Sequence, residues 1–172
     1  MSRADRIPDR DRPVGRAARA DREANPDPVG PVPGGRLIVA SWVGTGLLAL
    51  VVVAGLVALD AVAPLVVAVS GLLFVAGTVA FFIAYAGAVG RSRHELIGIG
   101  GLYFMAGTAP RPVRRSMMGS FGLEVALVVV AVAVRPFSSL VFTSLAPIYG
   151  LGLAGWWVAR HGTFAPKPAD PG

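Results

Sequence analysis

Three stretches of this sequence carry no charged side chain: residues 37–59, 61–90 and 136–159. A fourth, 116–134, carries one, Glu124. A helix at the surface of a soluble protein is apolar along a single stripe. Runs that are apolar on every face therefore need lipid around them, and about 20 residues suffice to cross the hydrocarbon of a bilayer. Only 15% of the 172 residues are charged, against about 25% in an ordinary soluble domain.

The runs predict an all-α, polytopic integral membrane protein. About four transmembrane helices are expected, over 37–59, 65–90, 117–134 and 137–158. The turn from Asp60 to Ala63 leaves Pro64 at a first helical position, where its missing N–H costs nothing. Short connections make consecutive helices antiparallel neighbours in a bundle. The first run is longer than the apolar region of a signal peptide. The nearby Ala61-Val62-Ala63 is followed by Pro64, which disfavours cleavage, so a retained helix is expected.

Orientation follows from the basic residues. Eight arginines stand up to and including Arg36, and Arg91, Arg93, Arg111, Arg114 and Arg115 fill the second connection. Arg160 and Lys167 follow the last run, and the two opposite connections hold Arg135 alone. Positively charged loops stay cytoplasmic, so both termini are expected inside, in the plasma membrane. Trp42, Trp156 and Trp157 fall near the same edge, where amphipathic rings anchor. The arginine-dominated, Ala/Val/Gly-rich composition fits a GC-rich bacterial genome.

The flanks read differently. Residues 1–35 alternate Asp-Arg pairs with a Pro/Gly-rich stretch and offer little to bury, so a disordered cytoplasmic tail is expected. A short second tail spans 161–172. Residues 96–109 (LIGIGGLYFMAGTA) are apolar but few, and contain four glycines. A fifth span there would move Arg111, Arg114 and Arg115 to the wrong side. An interfacial or re-entrant segment is expected instead.

Much chemistry is excluded. The chain has no cysteine and only two histidines, His94 and His161, far apart. Thiol catalysis, disulfides and a conventional zinc site are thereby ruled out or disfavoured. No P-loop, HExxH or GxSxG is present. Gly98-Ile99-Gly100-Gly101 lacks the strand–helix setting and third spaced glycine of a dinucleotide fingerprint. No catalytic residue, cofactor or metal is expected. Nor is nucleic acid, because the basic residues flank apolar runs rather than covering one face of a domain.

What remains is a handful of polar and small residues. An ionised side chain at the membrane centre costs roughly 2.5–3.5 kcal/mol on insertion scales. Eight Leu or Val residues between 123 and 134 return about 0.3–0.6 kcal/mol each. The third helix thus relies on its neighbours, and Glu124 is expected to face the bundle interior, neutral or hydrogen-bonded. Counted inward from the basic edge, Thr45, Thr78, Glu124 and Tyr149 fall at similar depth. They form a candidate polar layer, serving either transport or helix packing. Pro147, in the middle of the fourth run, should kink it.

Small residues recur at Ala76, Ala80, Ala84 and Ala88 and at Ala146, Gly150 and Ala154, a spacing that suits close helix approach within the chain or in a homo-oligomer. Arg91, Arg93, Arg111, Arg114 and Arg115 are candidate contacts for anionic lipid. The composite expectation is a non-enzymatic accessory or scaffold component acting through helix contacts with the bilayer, a protein partner or its own copies. The alternative is a small oligomeric transporter or lipid flippase that titrates Glu124.

Overall fold

The computed structural model describes residues 33–167, and most of the expected disordered arm lies outside them. Among the described residues the protein is all-helical, and three of its helices are long and apolar enough to span a membrane. In chain order the elements are α1 (Gly35–Arg91), a five-residue helix α2 (Ile99–Tyr103), α3 (Arg111–Val134), and a 3₁₀ segment (Ser139–Leu145) that runs into α4 (Pro147–His161); the three long ones are α1, α3 and the 3₁₀ segment together with α4.

Helix α1 is not one rod. Its backbone leaves helical geometry at Ala58 (φ −138°, ψ 55°). Gly44 and Gly77 would stand about 50 Å apart in a straight helix. Both instead pack against Tyr149, Gly44 on its ring and Gly77 on its backbone. The chain doubles back at Ala58 into a first arm (35–57) and a second arm (59–91). The break falls before the expected turn at 60–63. Asp60 then lies in the first turn of the second arm, where a negative charge meets the positive end of the helix dipole.

Contacts between helices fix their relative directions. Three pairs joining the first arm to α3 keep one constant offset of 79 residues: Ser41 with Ser120, Thr45 with Glu124, and Leu56 with Arg135. A constant offset means the two helices run parallel. Along the second arm and α4, Gly77 meets Tyr149, Ala84 meets Gly155 and Gly87 meets Ala159, also parallel. The first arm opposes α4, since Gly34, which caps the arm, lies at Trp157, Gly44 at Tyr149, and Gly55 at Leu140 in the 3₁₀ segment before α4.

Helix α4 is the central element. Gly150, Gly152, Leu153, Ala154, Gly155, Trp157 and Val158 are all buried, while α1 turns large side chains such as Val39, Leu50, Val57 and Leu72 outward. Glycine makes the close crossing possible. A Cβ on Gly152 would collide with the carbonyl oxygen of Gly77. Of the small-residue ridges, Ala80, Ala84, Ala88, Ala146, Gly150 and Ala154 are buried within the chain, and Ala76 is exposed.

The second connection folds against the end of the bundle that carries the arginines. Leu102, Tyr103, Met105 and Ala109 join a core with Trp157 and Val158. Residues 96–109 therefore hold one short helix and turns rather than a spanning helix. The residues after α4 are ordered against this connection through Leu96 N–H to Ala165 O (2.9 Å) and Lys167 N–H to His94 O (2.9 Å). Helix α3 begins at Arg111, earlier than expected, because Pro112 is suited to the first turn of a helix.

Gly152→Ala should lower stability by about 1–3 kcal/mol through overpacking. Gly71→Ala, where an added Cβ meets nothing within 4 Å, should be neutral or mildly stabilising. Thermal unfolding in a mild detergent reads both, and equal effects would contradict the crossing described.

Candidate functional site

Pro147 organises the polar interior. The fourth run is not one α-helix kinked in its middle: a 3₁₀ segment ends at Leu145, and α4 begins at Pro147. A helix start leaves its first N–H groups without intrahelical partners, and proline removes one of them. Tyr149 N–H turns back to Ala146 O at 2.8 Å. Gly150 N–H donates to Glu124 Oε2 at 3.2 Å. The acid on α3 thus receives a backbone donor from the first turn of α4, at the end whose dipole favours an anionic or strongly accepting group.

The other carboxyl oxygen, Oε1, accepts from Thr45 Oγ1 at 2.9 Å. That hydroxyl also lies 3.0 Å from Ser41 O, so its single proton has two acceptors. Were the carboxyl to carry a proton donated to Thr45, Thr45 could donate to Ser41 O and every group would be served. Glu124 is 1% exposed. A Cβ on Gly150 would sit 2.7 Å from Oε2, so only glycine lets the carboxyl approach this closely.

The network continues toward the basic end. Ser120 Oγ donates to Met117 O at 2.9 Å and also meets Ser41 Oγ. Ser120's proton is committed, so Ser41 is the donor of that pair. Trp42 Nε1–H donates to Ser116 Oγ at 2.9 Å. Residues 116, 120 and 124 form one i, i+4 row on α3, facing 41, 42 and 45 on the first arm. Ser41 and Ser120 escaped the sequence reading. Their spacing from Thr45 and Glu124 was the available signal, but it needed the parallel pairing to become meaningful.

The expected layer is only partly assembled. Thr45 reaches Glu124. Tyr149 sits between Gly44 and Gly77, and its hydroxyl donates to Ala40 O at 2.9 Å rather than to the acid. Thr78 Oγ1 is buried with no hydrogen-bond partner among the described residues. No known protein family, curated protein or solved structure matches this chain.

The arginines also divide. Arg91 forms a two-point ion pair with Glu95 (2.8 and 3.0 Å), donates to Ala159 O and Gly162 O, and lies over Phe164. Its guanidinium secures the end of α4 and is spent there. Arg135 donates to Leu56 O at 3.2 Å, serving a carbonyl next to the break at Ala58. Arg93, Arg114 and Arg115 are exposed, and Arg111 is half-buried.

Glutamine at 124 keeps an acceptor for Gly150 and gains a donor for Thr45, so Glu124→Gln should stay within about 1 kcal/mol of wild type. Glu124→Leu leaves the Gly150 N–H unserved and should cost about 1–3 kcal/mol. Unfolding in detergent compares them; a leucine variant as stable as wild type would contradict the capping role.

Proposed function

We propose that this chain is a non-enzymatic accessory or scaffold component of a bacterial plasma membrane. In this reading it crosses four times, counting the two arms of α1 separately, with both termini in the cytoplasm. The observation that carries it is the state of Glu124: the one carboxyl group deep in the apolar helices among the described residues is 1% exposed and hydrogen-bonded through both oxygens to its own fold. An acid that shuttles protons or substrate needs access from water. An acid that joins a helix start to a neighbouring helix needs dense packing, which Gly150 supplies.

The surface offered to a partner is then the outward face of branched side chains on α1, including Val43, Leu47, Leu50 and Val53, rather than the small-residue ridges. The basic flanks at Arg36, Arg93, Arg114, Arg115 and Arg160 support the inside placement of that end.

Two measurements test the reading. The chain lacks cysteine, so single replacements report sidedness without background. Asp60→Cys in intact cells should react with a membrane-impermeant maleimide, and Arg93→Cys and Thr163→Cys only after permeabilisation. The reverse pattern would overturn the topology. In proteoliposomes, wild type and Glu124→Gln should give the same background proton and lipid flux. A flux abolished by the glutamine variant would replace the scaffold reading with transport.

A further inference from the structure

Where the second connection meets the second arm of α1, the structure leaves a groove of about 390 Å³. Phe81, Tyr85, Val89, Ile99, Leu102 and Phe104 line it, and its walls are almost wholly apolar. Tyr103 holds its inner wall, stacked on Phe81 at 4.3 Å with its hydroxyl donating to Phe81 O. From Phe81 to Ser92 the groove follows about 17 Å of helix, roughly half of the ~30 Å hydrocarbon thickness. Such a length suits one acyl chain in one leaflet.

A second depression adjoins it, lined by Phe104, Ala106, Arg114, Arg115 and Met118. Phe104 belongs to both. Arg114 and Arg115 are exposed and pair with no acidic side chain among the described residues, and the one acid of this connection, Glu95, is held by Arg91. An apolar slot thus opens, across a single phenylalanine, onto two guanidinium groups that no acidic side chain among the described residues neutralises.

We propose that these two depressions form one binding site for an anionic phospholipid, with an acyl chain along Phe81–Phe104 and the phosphate at Arg114 and Arg115. Guanidinium groups suit phosphate oxygens through paired N–H donors. The aromatic and branched walls supply the chain's surroundings, and Phe104 sits at the joint between tail and headgroup. The site is independent of Glu124 and of the scaffold reading, so either can fail without the other.

The fold provides a clean variant. Gly98 lines the groove, has an extended backbone (φ −101°, ψ 151°) that any residue adopts, and an added Cβ there meets nothing within 4 Å. Gly98→Phe should fill the slot while leaving the bundle intact. Gly46→Phe, also into open space on the first arm, controls for added bulk.

The full chain would be equilibrated in neutral detergent with equal phosphatidylglycerol and phosphatidylcholine, washed, and its retained lipid measured by mass spectrometry. Wild type and Gly46→Phe should retain phosphatidylglycerol roughly thirtyfold over phosphatidylcholine, as two nearby positive charges imply. Arg114→Gln/Arg115→Gln should lose that preference while still holding lipid, and Gly98→Phe should lose retained lipid of both kinds. Unfolding temperature verifies that each variant is folded. Absence of preference in wild type, a preference that survives the double variant, or retention unchanged in Gly98→Phe would each overturn the proposal. Displacement of the lipid by inorganic phosphate alone would overturn the lipid assignment in favour of a soluble phosphate.

Discussion

A helix end placed in hydrocarbon has no water to complete its hydrogen bonds, and this constraint organises the protein. In such surroundings every unserved backbone group costs several kcal/mol. The chain nevertheless starts α4 at Pro147, inside an apolar run, and breaks α1 at Ala58. Both interruptions are met by side chains on α3 or capping its end. Glu124 accepts from Gly150 N–H, and Arg135 donates to Leu56 O. Their signs follow the helix dipole, an acid at a helix start and a cation at a helix end. One charged residue inside α3 and one just past its end thus answer two backbone interruptions elsewhere.

The glycines belong to the same solution. Glu124 reaches the backbone of α4 only because position 150 lacks a side chain, and the second arm approaches α4 only because 77 and 152 lack theirs. Lipid supplies no hydrophobic drive for helices to associate, so close packing and interhelical hydrogen bonds carry the work. Central placement of α4 follows. Its glycines face several neighbours at once, Gly150 meeting Glu124, Gly152 meeting Gly77 and Gly155 meeting Tyr103 and Ala84, so others can approach it on several sides, leaving the Val- and Leu-rich faces of α1 turned outward.

How much of this was legible in the sequence depends on the kind of information. Apolar runs free of charge made legible the all-helical character and the helices long and apolar enough to span a membrane, because solvation by lipid is a property of composition. The inward position of Glu124 was legible for the same reason. The partners of Glu124 were not. Thr45 and Thr78 stand at similar depth, yet only Thr45 faces the acid, since depth is set by counting and azimuth by packing. Pro147 was read as a kink because a long apolar run suggests one continuous helix. The preceding residues instead adopt 3₁₀ geometry, so proline occupies a first position, where its lost N–H is harmless. Arg91 was grouped with the lipid-facing arginines by proximity in sequence, whereas the chain's return after α4 brings Ala159 O and Gly162 O to it.

The two ends of the bundle differ in consequence. At the end holding Asp60 and Arg135 the connections are short, and their one arginine serves the backbone. At the basic end a long connection folds onto the bundle through Tyr103, Arg91 and the segment after α4, and there the side chains leave hollows between irregular backbone and helix. Regular helices packed through glycine and alanine leave little room between them, whereas a chain of short helix, turns and positive-φ residues such as Met105 and Gly107 cannot fill a helical surface evenly. The lipid site proposed above therefore falls at the basic end. The polar row from Ser116 to Glu124, buried at Ser120 and Glu124, holds that end's scaffold in register, which is why substitutions at those two positions should act on stability while substitutions around Phe104 should act on what is bound.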